Sequence, residues 1–182
     1  LVGFKLYSDE LTTGTNLLEF DPKSGQTEDA YGELGAAIKL KYKDTVMTYG
    51  DQFPNVPVMA VSTVRLLPSS ATGISIQDQS FDGLSVNAAH FYRMNPVDST
   101  DDLNYFTSDY GPSAGIRADS ISYIGGSYQQ HGVTYTAYAS ELKDVWNQYF
   151  LGAQTVYPLA KEGHALRFAT ANYYNTEAGD AK

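Results

Sequence analysis

The sequence contains no cysteine, which excludes a disulfide scaffold, a Cys-ligated zinc site and a thiol nucleophile together. Basic residues are scarce: 12 Lys and Arg stand against 21 Asp and Glu, a net charge of -9 over 182 residues. Phosphate binding needs a basic face, so this balance argues against nucleic acid as a partner. No apolar run approaches the ~18 residues of a transmembrane helix, and mean hydropathy is -0.32. One kind of membrane protein stays open, because a transmembrane β-barrel carries its apolar residues only at alternate positions. Sustained helical periodicity is missing too, apart from a short helical turn expected around Glu141 to Trp146.

What is present is tyrosine, 15 residues, glycine, 16 residues, and a repeated period of two. Leu34, Ala36, Ile38, Leu40 and Tyr42 are apolar while Glu33, Lys39 and Lys41 between them are charged, a strand with one greasy and one wet face. Val133, Tyr135, Ala137 and Ala139 alternate in the same way with Thr134, Thr136, Tyr138 and Ser140, and Leu84, Val86 and Ala88 with Ser85, Asn87 and Ala89. Looser runs cover 2–7, 45–51, 72–77, 120–130, 146–157 and 164–174. The expected fold is all-β, an antiparallel meander of about nine strands at ~10 residues each.

Connections fall into two sizes. Short ones lie at 43–44, 79–83, 130–132 and 160–163; long ones span 9–30, 53–70 and 93–119. They tend to alternate, which collects short turns at one end of a sheet and long loops at the other, the asymmetry of an outer-membrane barrel. Ala and Gly recur where a soluble core would hold larger residues. Tyr31, Tyr42, Tyr49, Tyr123, Tyr128, Tyr149, Phe150, Tyr157, Tyr173 and Tyr174 stand near strand ends and are assigned to interfacial girdles. The chain starts inside an alternating segment and ends in a polar one, and is expected to be an internal piece of a longer protein.

Five ordered blocks carry a family resemblance. The run Tyr49-Gly50-Asp51-Gln52-Phe53-Pro54-Asn55-Val56-Pro57-Val58, continuing to Arg65-Leu66-Leu67-Pro68, resembles the third-loop region of the OprD family of substrate-specific outer-membrane porins. Phe81-Asp82-Gly83-Leu84-Ser85-Val86-Asn87-Ala88-Ala89-His90-Phe91, Ile124-Gly125-Gly126-Ser127-Tyr128 and Glu141-Leu142-Lys143-Asp144-Val145-Trp146-Asn147-Gln148-Tyr149-Phe150-Leu151 are similar to three later strand blocks of that family, in the same order. Asp29-Ala30-Tyr31-Gly32-Glu33-Leu34 to Lys39 also fits. The resemblance implies a partial transmembrane β-barrel, about half of an eighteen-stranded one, in a Gram-negative outer membrane. The complete barrel would be monomeric, surrounded by lipid, and would pass small carboxylate-bearing solutes by passive diffusion.

Within that frame, residues 53–70 form an inward-folding constriction loop, in which Pro54, Pro57 and Pro68 oppose a continuous strand. Arg65 is the foremost carboxylate-binding candidate, because a guanidinium offers a planar fork and keeps its charge; it is equally suited to pinning the loop to a wall carboxylate such as Asp51. Lys39 and Lys41 lie opposite Leu40 and so face the lumen if Leu40 meets lipid; Lys5 and Arg167 sit in similar alternations. A row of cations would concentrate anions, although each taken singly is more often a solvated wall charge. Glu33, Asp98, Asp101, Asp102 and Asp109 suit the cationic part of a zwitterionic solute, and Tyr110 is placed opposite Arg65. An enzyme is not expected: His90, Asp144 and the serines come without a Gly-x-Ser-x-Gly elbow, and His90, His131 and His164 are too dispersed for a metal. No cofactor is expected. The competing reading is a soluble all-β ligand-binding module.

Overall fold

The structure, a computed structural model, describes residues 2–5, 20–21, 26–27, 30–63, 68–96, 101–107, 116–159 and 163–179, and before residue 34 it describes the backbone alone. Among these residues there is no helix. The strands are β1 (Val2–Lys5), β2 (Phe20–Asp21), β3 (Gln26–Thr27), β4 (Ala30–Glu33), β5 (Ala37–Tyr42), β6 (Thr45–Gln52), β7 (Asn55–Val56), β8 (Met59–Ala60), β9 (Ser70–Phe81), β10 (Leu84–Asn95), β11 (Phe106–Thr107), β12 (Arg117–Ala118), β13 (Ile121–Gln130), β14 (Val133–Leu142), β15 (Trp146–Pro158) and β16 (Ala165–Glu177). Eight of them form one antiparallel sheet in the order β16-β15-β14-β13-β10-β9-β6-β5, and the remainder pair two by two. Each long strand pairs with its neighbours in sequence, so the sheet is a meander.

The alternating run from Leu34 is not one strand. β4 stops at Glu33 and β5 starts at Ala37, because the backbone of Ala36 is held by Asp51: Ala36 N–H donates to Asp51 Oδ2 at 2.8 Å and Asp51 N–H to Ala36 O at 2.9 Å. A second correction concerns the helical turn expected at Glu141 to Trp146. There β14 runs into β15 through 143–145, a tight turn with Asp144 at φ 58 and Val145 N–H bonded to Leu142 O at 3.0 Å. A left-handed residue ends any helix, and a short polar side chain tolerates that conformation.

At one end of the sheet the connections are 43–44, 82–83, 131–132 and 159–164; at the other they are 53–69, 96–120 and 143–145. Within the eight-stranded sheet loop sorting therefore holds with one exception, the three-residue turn between β14 and β15, while the long connection expected at 9–30 falls largely outside the described residues. His131 and Gly132 both have positive φ, 49 and 77, the paired left-handed geometry whose twist suits a two-residue hairpin.

The register divides the side chains into two faces. One carries Ile38, Leu40, Met47, Tyr49, Ile74, Ile76, Ala88, Ile124, Ala137, Leu151 and Phe168, each opposite another of the same set or a small or polar residue. Nothing described covers it, and Ile38 is 65% exposed, Leu151 62% and Phe168 59%. The other face carries Lys39, Thr48, Ser75, Ala89, Tyr123, Ser140, Gln148 and Asn175 in a single cross-strand row. Onto its long-loop end fold the connections: Val58, Phe106 and Ala118 share one buried cluster with Phe91, Ile121, Tyr123 and Tyr138. We call these the bare face and the loop-bearing face.

Candidate functional site

The loop-bearing face is floored by small and polar residues and padded by aromatics at one end. Phe91 is only 1% exposed and lies 6.3 Å from Tyr123, ring to ring; Tyr123 meets Tyr138 edge-on at the same separation. Offset and edge-on pairs of this kind are favourable beyond the area they bury. Tyr138 can lie down against the sheet because its cross-strand partner is Gly125: a Cβ there would sit 2.4 Å from the Tyr138 ring. Asn87 Nδ2 then donates to the Tyr138 hydroxyl at 2.8 Å, fixing the ring. Gly73 gives Phe91 the same kind of landing. Asn87 Oδ1 and Ser140 Oγ are buried in this bed without a described partner.

On the bed rests the loop after β6. Its hairpin β7–β8 places Pro57 and Val58 at the turn, and Val61 N–H closes on Pro54 O at 3.1 Å. Val56 and Met59 pack against the cluster that buries Val58. The neck is pinned where Ser69 N–H donates to Ser62 O at 2.9 Å and Ser62 N–H to Ser69 Oγ at 2.7 Å. The turn reaches far across the sheet, for Tyr173 Oη of β16 donates to Pro57 O at 3.2 Å. Four strands, β10, β13, β14 and β15, separate β16 from β9, where the loop re-enters. At ~4.8 Å per strand the loop spans roughly 24 Å of wall.

The register places three of the cations expected in the site on this face. Lys39 is opposite Thr48, Lys41 opposite Val46, and Arg167 opposite Val156, where its Nη2 donates to Gln154 Oε1 at 2.6 Å. Lys39 and Lys41 are exposed and make no ion pair among the described residues. The structure does not bring the lysines and Arg167 together: they occupy the two edge strands, β5 and β16, seven strand steps apart, about 34 Å along the wall. Glu33 lies in β4 opposite Val2, and Lys5 in β1 opposite Ala30, with only their backbones described. Arg65, Tyr110, Asp98 and Asp109 fall outside the described residues. Asp102 is paired with Arg93 at 3.2 Å, and Asp51, a candidate anchor for Arg65, accepts from Thr72 Oγ1 at 2.6 Å as well as from Ala36. On the eight long strands the loop-bearing face between 37 and 177 carries one described carboxylate, Glu177, at the end of β16.

Ten aromatics assigned to girdles divide between the faces. Tyr42, Tyr49, Tyr128, Tyr149, Tyr157 and Tyr174 are on the bare face, joined by Tyr92 and Tyr135, with Tyr49 and Tyr92 hydroxyls 3.2 Å apart and Tyr149 stacked on Tyr174 at 6.3 Å. Tyr123, Phe150 and Tyr173 are on the opposite face, where they belong to the bed and its margin; Tyr31 lies in β4 with its side chain undescribed. Strand parity separates the two groups, and the missed residues, Asn87, Tyr138 and Tyr173, are legible only once that parity is known. His90 sits on the bare face with Nδ1 2.8 Å from Ser122 Oγ, and Asp144 lies in the turn beyond β14, so these residues do not assemble a triad. No metal-binding group of His, Asp and Glu occurs among the described residues.

Comparison with known proteins gives the same picture. The family model described as "outer membrane porin, OprD family" matches residues 1–182. Porin D of Pseudomonas aeruginosa is 32% identical over 185 residues, covering 100% of this chain and 40% of that protein. The porin-like protein GalP of Pseudomonas putida is 26% identical, covering 100% and 43% respectively. The crystal structure of Acinetobacter baumannii OccAB2 superposes with a TM-score of 0.89 at 29% identity, over 98% of this chain and 46% of that one. The chain thus spans about two-fifths of the length of the curated relatives it matches.

Proposed function

The chain belongs to the OprD family of outer-membrane porins, and from that premise we propose that it supplies part of the wall and the constriction loop of a channel for passive, selective diffusion of small carboxylate-bearing solutes. The division of the sheet into two faces carries the reading. In water the uncovered stripe of Ile38, Leu40, Ile76, Ile124, Leu151 and Phe168 would be an adhesive patch; against acyl chains it is at home, bordered by tyrosines whose hydroxyls suit the headgroup level. That stripe also weighs against a soluble ligand-binding module.

On this reading the loop-bearing face borders water. Residues 53–70 narrow the passage, Arg65 receives the carboxylate, and Lys39, Lys41 and Arg167 bias the wall toward anions. Glu33 and Tyr110 meet other parts of the solute. Little acid competes on the described wall, and a confined cationic surface raises the local concentration of anions. The complete barrel acts as a monomer in the outer membrane.

The test is conductance and solute flux through the complete barrel in a planar bilayer and in liposomes. Arg65→Ala, and Lys39→Gln with Lys41→Gln, are expected to lower flux of a carboxylate solute several-fold more than that of a neutral one of equal size. The wall lysines' share should fade at about 1 M salt, where the Debye length is ~3 Å. Equal losses for both solutes would refute the carboxylate preference; a barrel that inserts and does not conduct would refute the channel.

A further inference from the structure

We propose that Tyr173 is a positioning residue that latches the constriction loop from the far side of the wall, so that the width of the passage is held by one hydroxyl-to-carbonyl bond spanning 116 residues of sequence. The inference rests on the channel reading above and adds to it what keeps the loop still. Tyr173 Oη donates to Pro57 O at 3.2 Å. Proline lacks an N–H, so the turn residue can offer its carbonyl outward without leaving a donor of its own unsatisfied. The tyrosine is itself braced: its ring lies 4.9 Å from Phe150, at 55°, on the adjoining strand. Phe150 in turn packs against the buried cluster that holds Val58.

The remaining described attachments of the turn are apolar. Val56, Val58 and Met59 rest on the aromatic bed, and contacts of that kind are non-directional: they favour the loop lying down without fixing where its tip lies. Tyr173 is half-exposed, so its bond competes with water and is weak enough to open. A loop anchored by its neck at Ser62 and Ser69 and, among the described residues, by one polar contact at its turn has two arrangements, latched and released. The released one widens or blurs the constriction. Tyr173 is thereby a determinant of selectivity although it need not touch the solute.

The experiment is single-channel recording on the complete barrel, wild type against Tyr173→Phe, which removes only the oxygen. The ratio of latched to released loops should fall about five-fold, as loss of ~1 kcal/mol of net hydrogen-bond energy implies. It would be read as an equal fall in the ratio of time spent at the main level to time spent at a second conductance level, with a weaker preference for anionic over neutral solute. Resistance of the folded barrel to heat and detergent should not change. A short thiol-to-thiol crosslink between Pro57→Cys and Tyr173→Cys should restore one quiet level. A conducting Tyr173→Phe barrel as quiet and selective as wild type would overturn the latch and leave the channel standing. A wild-type barrel that inserts without conducting would overturn both.

Discussion

Gly125 shows how a single missing methyl shapes the candidate site. Its absent Cβ would fall 2.4 Å from both Ala137 O and the Tyr138 ring, closer than van der Waals contact permits. Gly125→Ala must therefore lift Tyr138, move the β14 backbone, or both, and the Asn87–Tyr138 bond of 2.8 Å is lost in the first case. Overpacking of this kind costs about 1–3 kcal/mol. The expected outcome in the complete barrel is a lower urea midpoint for refolding into lipid and a smaller conductance, since a lifted ring and the loop above it move into the passage. A double-mutant cycle with Tyr138→Ala separates the two clashes. Coupling of about 1 kcal/mol or more assigns the cost to the ring, and additivity would assign it to the backbone and remove the landing-site account.

At the scale of elements, parity does most of the explaining. Adjacent residues on one strand meet opposite media, so a charge is tolerated at one position and expensive at the next. On β14, Thr136 lies opposite Ser127 and Gly152 on the loop-bearing face, while Ala137 lies opposite Gly126 and Leu151 on the bare face. Ala137→Arg is expected to destabilise the complete barrel by roughly 2–4 kcal/mol if it sits near the bilayer midplane, and less near the interface. Thr136→Arg should cost under about 1 kcal/mol. Urea titration of barrels folded in lipid vesicles measures both, and equal costs would contradict the assignment of faces.

The same parity marks what could be read from the sequence. The alternations at Ile38–Tyr42, Leu84–Ala89 and Val133–Ser140 identified strands and the side on which Lys39 and Lys41 lie. Tyrosines near strand ends did not sort themselves, because a girdle residue and a loop-supporting residue differ by one step along the strand. Irregularity hides that step: the β9–β10 register shifts between Phe91 and Arg93. The turn at 143–145 looked helical because Glu, Leu and Lys favour helix, whereas the strands on either side fix Asp144 in a left-handed conformation. Nothing local joins Pro57 to Tyr173. That contact exists because the meander brings β16 round to where the loop arrives.

For the whole molecule, the decisive feature is the pair of sheet edges. Among the described residues β5 and β16 each have one partner in the eight-stranded sheet, so each presents outward a row of N–H and C=O groups that no described strand meets. In lipid every unsatisfied backbone group costs several kcal/mol, so the two rows together far exceed the ~5–15 kcal/mol that stabilises an ordinary domain. The bare face requires lipid and the edges forbid it, unless flanking strands complete the ring. The 182-residue chain expressed alone is therefore expected to fail to insert as a discrete species. It should show no heat-sensitive mobility shift on a detergent gel and no stepwise conductance in a planar bilayer, whereas the complete barrel is expected to show both. Stable unitary conductance from the isolated chain would mean that β5 and β16 close on each other or on a second copy. The passage would then be narrower or differently walled, and the reach of Tyr173 to Pro57 would be a contact of that smaller ring rather than a brace across part of a larger one.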